Sequence, residues 1–251
     1  MKHKIITFGE LMLRLSPDNN ERFTQAHSYE AVYGGGEANT AVSLANFNVD
    51  TRYVTKLPKH TIGQSAVNSL RQYGVDVSRI VRGGDQIGIY FLEKKTSQRP
   101  TNVIYNRNGS AFALAAKEDF DWDSIFDGAT WFHFSGITPA ISDNMAEITI
   151  EACKEAKKRG ITVSCDLNYR SKLWSSEKAN KVMSEVCRYV DICIANEDDA
   201  VGIFGMDASK SDKEKNAYIA EELTKMFPNF KMVASVWRTE TSITTFKLQS
   251  M

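Results

Sequence analysis

The stretch from Ser142 to Arg170, SDNMAEITIEACKEAKKRGITVSCDLNYR, reads as a helix, a stop and a strand in succession. Met145, Ile148, Ala152 and Ala156 recur at helical spacing and form one apolar stripe. Ser142 is placed to cap the start, and Gly160 to end the helix in the left-handed conformation that glycine tolerates. Thr162–Leu167 then reads as a strand, with polar Asp166, Asn168 and Arg170 gathered at its end. The same alternation runs outward in both directions. Towards the start, Ile5–Phe8 is a strand ending at Gly9. Ala38, Ala41, Val42 and Ala45 mark a helix that should stop near Asn48. Thr51–Leu57 is a strand, Ile62–Tyr73 a helix closed by Gly74, and Trp131–Phe134 a strand. Towards the end, Glu177–Tyr189 is a helix, Asp191–Ala195 a strand, Lys213–Phe227 a helix followed by Pro228, and Lys231–Val236 a strand. Strands and helices alternating at these lengths predict an α/β fold with a mostly parallel sheet and helices on both faces.

Two stretches break the alternation, Leu11 to Tyr33 and Gln86 to Arg107. Both read as strands with no helix between them, so antiparallel strands in a small separate sheet are expected. The expected organisation is a body of residues 1–10, 34–86 and 109–251, and a β-sheet lid of residues 11–33 and 87–108. So small a sheet leaves an apolar face in Ile87, Ile89, Phe91, Val103 and Ile104, for which a ligand or a second copy of the chain is the expected cover. A two-fold homodimer through the lid is therefore expected.

The composition narrows the function. The chain has 251 residues, 42% hydrophobic and 25% charged, enough to bury a core without disulfides. Lys+Arg 31 against Asp+Glu 31 leaves no net charge, which argues against nucleic-acid binding and against a polybasic membrane anchor. No apolar run approaches the ~20 residues that span a bilayer. The opening Met1–Gly9 lacks the apolar core of roughly 7–15 residues that a signal peptide needs, so a cytoplasmic location is expected. Cys153, Cys165, Cys187 and Cys193 contain no C-x-x-C pair and read as reduced, buried thiols. His3, His27, His60 and His133 show no zinc-binding spacing, and His133, between apolar neighbours on a strand, reads as a core histidine.

In open parallel sheets, ligands bind beyond the carboxyl ends of the strands. Polar groups collect there: Asp166 to Arg170, then Asn196 to Asp199, then Trp237 and Arg238. Asp and Asn at such positions also cap helices, so no one of them decides the matter. Gly34-Gly35-Gly36-Glu37-Ala38-Asn39 precedes a helix, where glycines permit positive φ and let backbone N–H groups approach a ligand. No G-K-[ST] follows and no dinucleotide fingerprint fits, so the triplet alone is equally a tight turn.

Gly35-Gly36-Glu37-Ala38-Asn39-Thr40-Ala41, followed by a helix of small residues, resembles the first signature of the ribokinase-like (PfkB) sugar kinases. Phe8-Gly9-Glu10-Leu11-Met12, Tyr105-Asn106-Arg107, Phe134 to Ala140, Asp166 to Arg170, Leu173-Trp174 and Asn196 to Ala200 follow in the family's order. Within the family the chain is most similar to the 2-keto-3-deoxygluconate kinases. The resemblance implies a Rossmann-like body with a β-sheet lid, and transfer of the γ-phosphate of ATP to a sugar hydroxyl with Mg²⁺. It implies a sugar site at Gly35, Tyr90, Tyr105, Arg107 and Arg170, and ATP contacts at Asn168, Arg170 and Ser235 with the segment after Val236. Asn196 to Asp199 matches an N-x-x-E element that helps hold Mg²⁺ indirectly, although Asp199 is one methylene shorter than the family's Glu. Guanidinium groups bind carboxylates through two parallel bonds, so Arg107 and Arg170 suit a keto sugar acid; an ordinary surface charge is the competing reading of each. Tyr90 and Tyr105 offer hydroxyls and water-excluding rings; lid packing or a dimer contact is the competing reading.

The chain departs from the family at its end. The catalytic aspartate and the amide anion hole belong to a late G-A-G-D element, and no such element occurs here; Gly83-Gly84-Asp85 comes too early. The sequence therefore reads as a C-terminally truncated kinase without its catalytic base. A non-catalytic remnant that binds a sugar acid and a kinase of a neutral ketose such as fructose are the competing readings. Coding DNA beyond residue 251 that contains a G-x-G-D element would identify a truncated kinase.

Overall fold

The computed structural model describes residues 3–207, 212–240 and 246–250. The chain divides into two compact units, residues 1–127 and 128–251.

Unit 1 begins with strand β1 (Lys4–Phe8), which pairs in parallel with β4 (Asp50–Val54). Between them lie β2 (Met12–Pro17), β3 (Tyr29–Gly34) and helix α1 (Gly36–Asn46). Asn48 follows α1 at φ 59°, the left-handed stop that the sequence suggests there. The expected strand Thr51–Leu57 is broken at Thr55: β4 ends at Val54, and the two-residue β5 (Lys56–Leu57) pairs instead with β6 (Val81–Arg82). Helix α2 (Thr61–Arg71) fills the span between β5 and β6, and Gly74 beyond it has φ 78°. Phe8 anchors the core through edge-on contacts with Phe112, Phe120 and Trp122 at 5.2–5.5 Å between centroids.

The helix-free stretches form a separate four-stranded sheet in the order β3–β2–β7–β8, with β7 spanning Ile89–Glu93 and β8 spanning Asn102–Asn106. The expectation of purely antiparallel strands is corrected at its centre. Hairpins β2–β3 and β7–β8 are antiparallel, but β2 and β7 run parallel. The reason is connectivity: a long crossover through α1 and α2 joins the two hairpins, and a crossover permits parallel pairing where a tight turn does not. The apolar face is also smaller than expected. Ile87 is buried, and Ile89 packs with Leu13 and Tyr33 against a core of Leu11, Ala38, Tyr53, Val67 and Leu70. Ile104 remains half exposed.

Unit 2 repeats strand and helix. Strands β9 (Trp131–Ser135), β10 (Thr162–Asp166), β11 (Ile192–Ile194) and β12 (Met232–Ala234) pair in parallel in that order. Helices α3 (Ile137–Ala140), α4 (Asp143–Lys158), α5 (Ser176–Cys187), α6 (Glu197–Phe204) and α7 (Asp212–Met226) separate them. The Ser142 hydroxyl accepts from the Met145 amide, and Gly160 sits at φ 68°, so both ends of α4 are built as the sequence implies. Strands β13 (Val236–Glu240) and β14 (Phe246–Ser250) form an antiparallel pair. All four cysteines are free and buried, and burial pushes the Cys153 and Cys187 thiols far up. His133 is half-buried and hydrogen-bonds Ser164 Oγ at 2.9 Å, and burial lowers it from 6.5 to about 4. Among the described residues, no helix is long and apolar enough to cross a membrane.

Candidate active site

The candidate residues of unit 1 gather where its four-stranded sheet meets α1. Cross-strand partners share a face, and one row across the sheet reads Val32, Arg14, Tyr90, Tyr105. The Tyr90 and Tyr105 rings lie 5.8 Å apart, and Tyr105 is 51% exposed. The space beside Gly34 faces the Tyr90 hydroxyl and the Asn39 side chain. A cavity of about 460 Å³ opens nearby between β3, α1 and the end of α2. None of its lining residues is charged, so it offers hydrogen-bond donors such as Asn39 and Gln72 but no cation to a carboxylate.

Of the two reasons the sequence offers for glycine here, positive φ and close approach, Gly35 uses only the second. Its φ is −176°, ordinary extended backbone, and none of Gly34–Gly36 uses positive φ. A Cβ at Gly35 would overlap the carbonyl oxygen of Glu10, so close approach, not conformational freedom, selects glycine.

Arg107 lies just past β8 and is only 6% exposed. Its Nε donates to Glu10 Oε2 at 2.8 Å, and a terminal nitrogen lies 2.5 Å from the same oxygen. Ser110 Oγ donates to Glu10 Oε1 at 2.5 Å. Burial raises the Glu10 carboxyl, against the pull of Arg107 and Ser110. Arg107 thus already holds a carboxylate of its own chain. Glu10, Ser110 and Arg14 escape the sequence reading. For Glu10 a signal existed: an acidic residue directly after the glycine that ends an apolar strand.

In unit 2, strand register does the assembling. Ser135, Asp166, Ile194 and Ala234 stand side by side, so the segments after them leave one edge. That edge brings together Asn168, Arg170, Asn196, Asp199 and Ser235. Asn168 has φ 39° and its side chain lies 3.4 Å from Asp166 Oδ2. Arg170 is exposed. Ser235 is 3% exposed, and its hydroxyl donates to Asn216 Oδ1 at 2.8 Å, so it faces inward.

Asn196 and Asp199 form a capping box at the start of α6. Asn196 Oδ1 accepts from the Asp199 amide, and Asp199 Oδ2 accepts from the Asn196 amide, both at 3.0 Å. Asp199 Oδ1 accepts from the Tyr169 amide at 2.7 Å. Burial raises this carboxyl, offset by those amides and by Arg170. Both oxygens are thus spent on main chain. Among the described residues, no group of three His, Cys, Asp or Glu side chains could hold a metal ion.

Parallel strands flanked by helices, a small separate sheet and polar turns at the strand ends define a ribokinase-like α/β fold. A solved 2-dehydro-3-deoxygluconokinase from Thermotoga maritima matches it with a TM-score of 0.96 and 47% identity, over 100% of this chain and 76% of that one. The chain belongs to the pfkB family of carbohydrate kinases, whose pattern matches residues 2–229. It is 37% identical over 209 residues to a 2-dehydro-3-deoxygalactonokinase of Haloferax volcanii, covering 82% of this chain and 65% of that protein. A 2-dehydro-3-deoxygluconokinase of Bacillus subtilis is 28% identical, over 70% of this chain and 55% of its own length. The chain therefore spans a little over half to two thirds of these curated relatives.

Proposed function

We propose that these residues form the sugar-recognising part of an ATP-dependent kinase acting on a hydroxyl of a 2-keto-3-deoxy sugar acid, 2-keto-3-deoxygluconate or a close relative. The observation that carries this reading is the 47% identity, along the whole chain, to a kinase named for such an acid. Gly35, Tyr90, Tyr105 and Arg107 would hold the sugar, with the tyrosine hydroxyls as hydrogen-bond partners. Arg170, exposed and at a strand end, would pair with a carboxylate or phosphate of the ligands. Asn168 would also contact ATP; the inward-facing Ser235 would only support that edge. Mg²⁺ would enter on the nucleotide's phosphates, as this ion commonly does. ATP as the donor supports a cytoplasmic site of action. A homodimer through the lid is part of the proposal, with half-exposed Ile104 as its apolar contact.

One observation favours a second reading. Arg107 is already neutralised by Glu10, which leaves less free positive charge for an acid and favours a neutral ketose such as fructose. Calorimetric titration of the 251-residue protein with 2-keto-3-deoxygluconate and with fructose decides between them. The proposal expects the acid to bind at least about tenfold more tightly, a difference of ~1.4 kcal/mol. Equal or tighter binding of fructose would reverse the assignment.

A further inference from the structure

Four crossings join the four-stranded sheet of unit 1 to the rest of that unit, and one buried residue meets them all. The crossing from β1 to β2 contains Glu10 itself, 4% exposed. The crossing from β3 to α1 is Gly35, whose Cβ space is taken by the Glu10 carbonyl oxygen. The crossing into β7 ends at Gly88, where a Cβ would stand 2.5 Å from Glu10 Oε1. The crossing out of β8 starts with Arg107 and reaches Ser110, and both donate to the Glu10 carboxylate.

Neither Gly35 nor Gly88 adopts positive φ. Glycine costs backbone entropy wherever it is fixed, and at these two positions its return is close approach to Glu10. A buried charge is likewise a poor choice for stability alone, since apolar side chains of similar volume commonly serve as well or better. What a carboxylate between a guanidinium and a hydroxyl adds is one defined geometry.

We propose that Glu10 is a positioning residue for the sugar site. It fixes the sheet that carries Tyr90 and Tyr105 against the Gly34–Gly35 turn, and it sets the orientation of the Arg107 guanidinium. The identity of the ligand rests on the kinase reading above; the tie between the crossings does not.

The test is hydrogen exchange combined with calorimetry on the full 251-residue chain, with 2-keto-3-deoxygluconate as the probe. Glu10→Gln keeps the side chain's size and removes its charge. Exchange in β7 and β8 is expected to rise about tenfold while β4 and α2 keep the wild-type rate, and the dissociation constant for the acid to rise by about the same factor. Glu10→Asp should recover part of both effects. Unchanged exchange in β7 and β8 would overturn the proposal, and so would a rise shared equally by β4, which marks plain destabilisation. If Glu10→Gln does not fold, Gly88→Ala displaces the carboxylate while keeping its charge. The same sheet-limited rise is expected there, and wild-type exchange would refute the role. If the wild-type chain binds no keto acid, the keto-acid reading fails, and the exchange pattern alone decides the role of Glu10.

Discussion

Arg107 and Arg170 look alike in the sequence: each follows a short strand and each has a tyrosine within two residues. In the structure they are opposites. Arg107 is buried and closed on Glu10, whereas Arg170 is exposed at a strand end. The acids beside them differ in the same way. Glu10 spends its carboxylate on side chains that arrive from another part of the fold, and so ties strands together. Asp199 spends its own on main-chain amides and caps a helix. A charged residue near a candidate site can thus be closed on a distant partner or left exposed, and a pairing across 97 residues, as between Glu10 and Arg107, is one that no local motif encodes.

The largest expected effect concerns turnover. Within these 251 residues there is no late G-x-G-D element to supply a base and an amide anion hole. Groups of these kinds are worth roughly 10²–10⁴ each. Purified protein with 2-keto-3-deoxygluconate, ATP and Mg²⁺ should show at most trace phosphorylation against the ~1–100 s⁻¹ of typical kinases. Turnover in that range would require another acid. Asp166 would be the first to replace by Asn, since both oxygens of Asp199 are occupied.

The buried arginine comes next. Arg107→Ala leaves a buried carboxylate without its cation and should cost about 3–5 kcal/mol in urea unfolding. Arg107→Met combined with Glu10→Gln should recover much of that, because the uncompensated charge is gone. Arg170→Ala, on an exposed position, should stay within about 0.5 kcal/mol of the wild type. Similar losses at both arginines would erase the contrast between them.

Most of the fold was legible in the sequence because it rests on local signals. Ser142 as a cap, Asn48, Gly74 and Gly160 as stops, and the apolar stripe of α4 all act over one or two turns of chain. The parallel pairing of β2 with β7 was not legible, since it joins residues 76 positions apart, as Leu13 with Ile89. At the site, Tyr90 and Tyr105 could be foreseen as a pair, and register sets them side by side. The pairing of Glu10 with Arg107 spans 97 residues and could not. For the glycine triplet the sequence offered positive φ or close approach to a ligand; what Gly35 approaches within the chain is the Glu10 carbonyl oxygen, beyond any local motif's reach.

Two smaller effects sharpen the picture of unit 2. Burial holds His133 at about 4 instead of 6.5. Between those values the unfolded chain carries the proton and the folded chain does not. Stability should therefore fall as pH drops from 6.5 to 4, by up to roughly 3 kcal/mol. His133→Gln should flatten that part of the pH–stability curve, and an unchanged slope would assign it to other groups. Asp199→Ala should cost ~1–2 kcal/mol through loss of the capping box. The same cost is expected with and without Mg²⁺ in urea unfolding; a cost that appears only with Mg²⁺ would point to a metal role.

The proposed pairing of the exposed Arg170 with the acid is tested most directly by the affinity of Arg170→Ala for 2-keto-3-deoxygluconate. Calorimetry should show binding weakened by about 1.5–3 kcal/mol, the worth of a hydrogen bond to a charged group. Arg170→Lys should recover only part, since an ammonium cannot form the paired fork. An Arg170→Ala protein that binds the acid as tightly as the wild type would contradict the account.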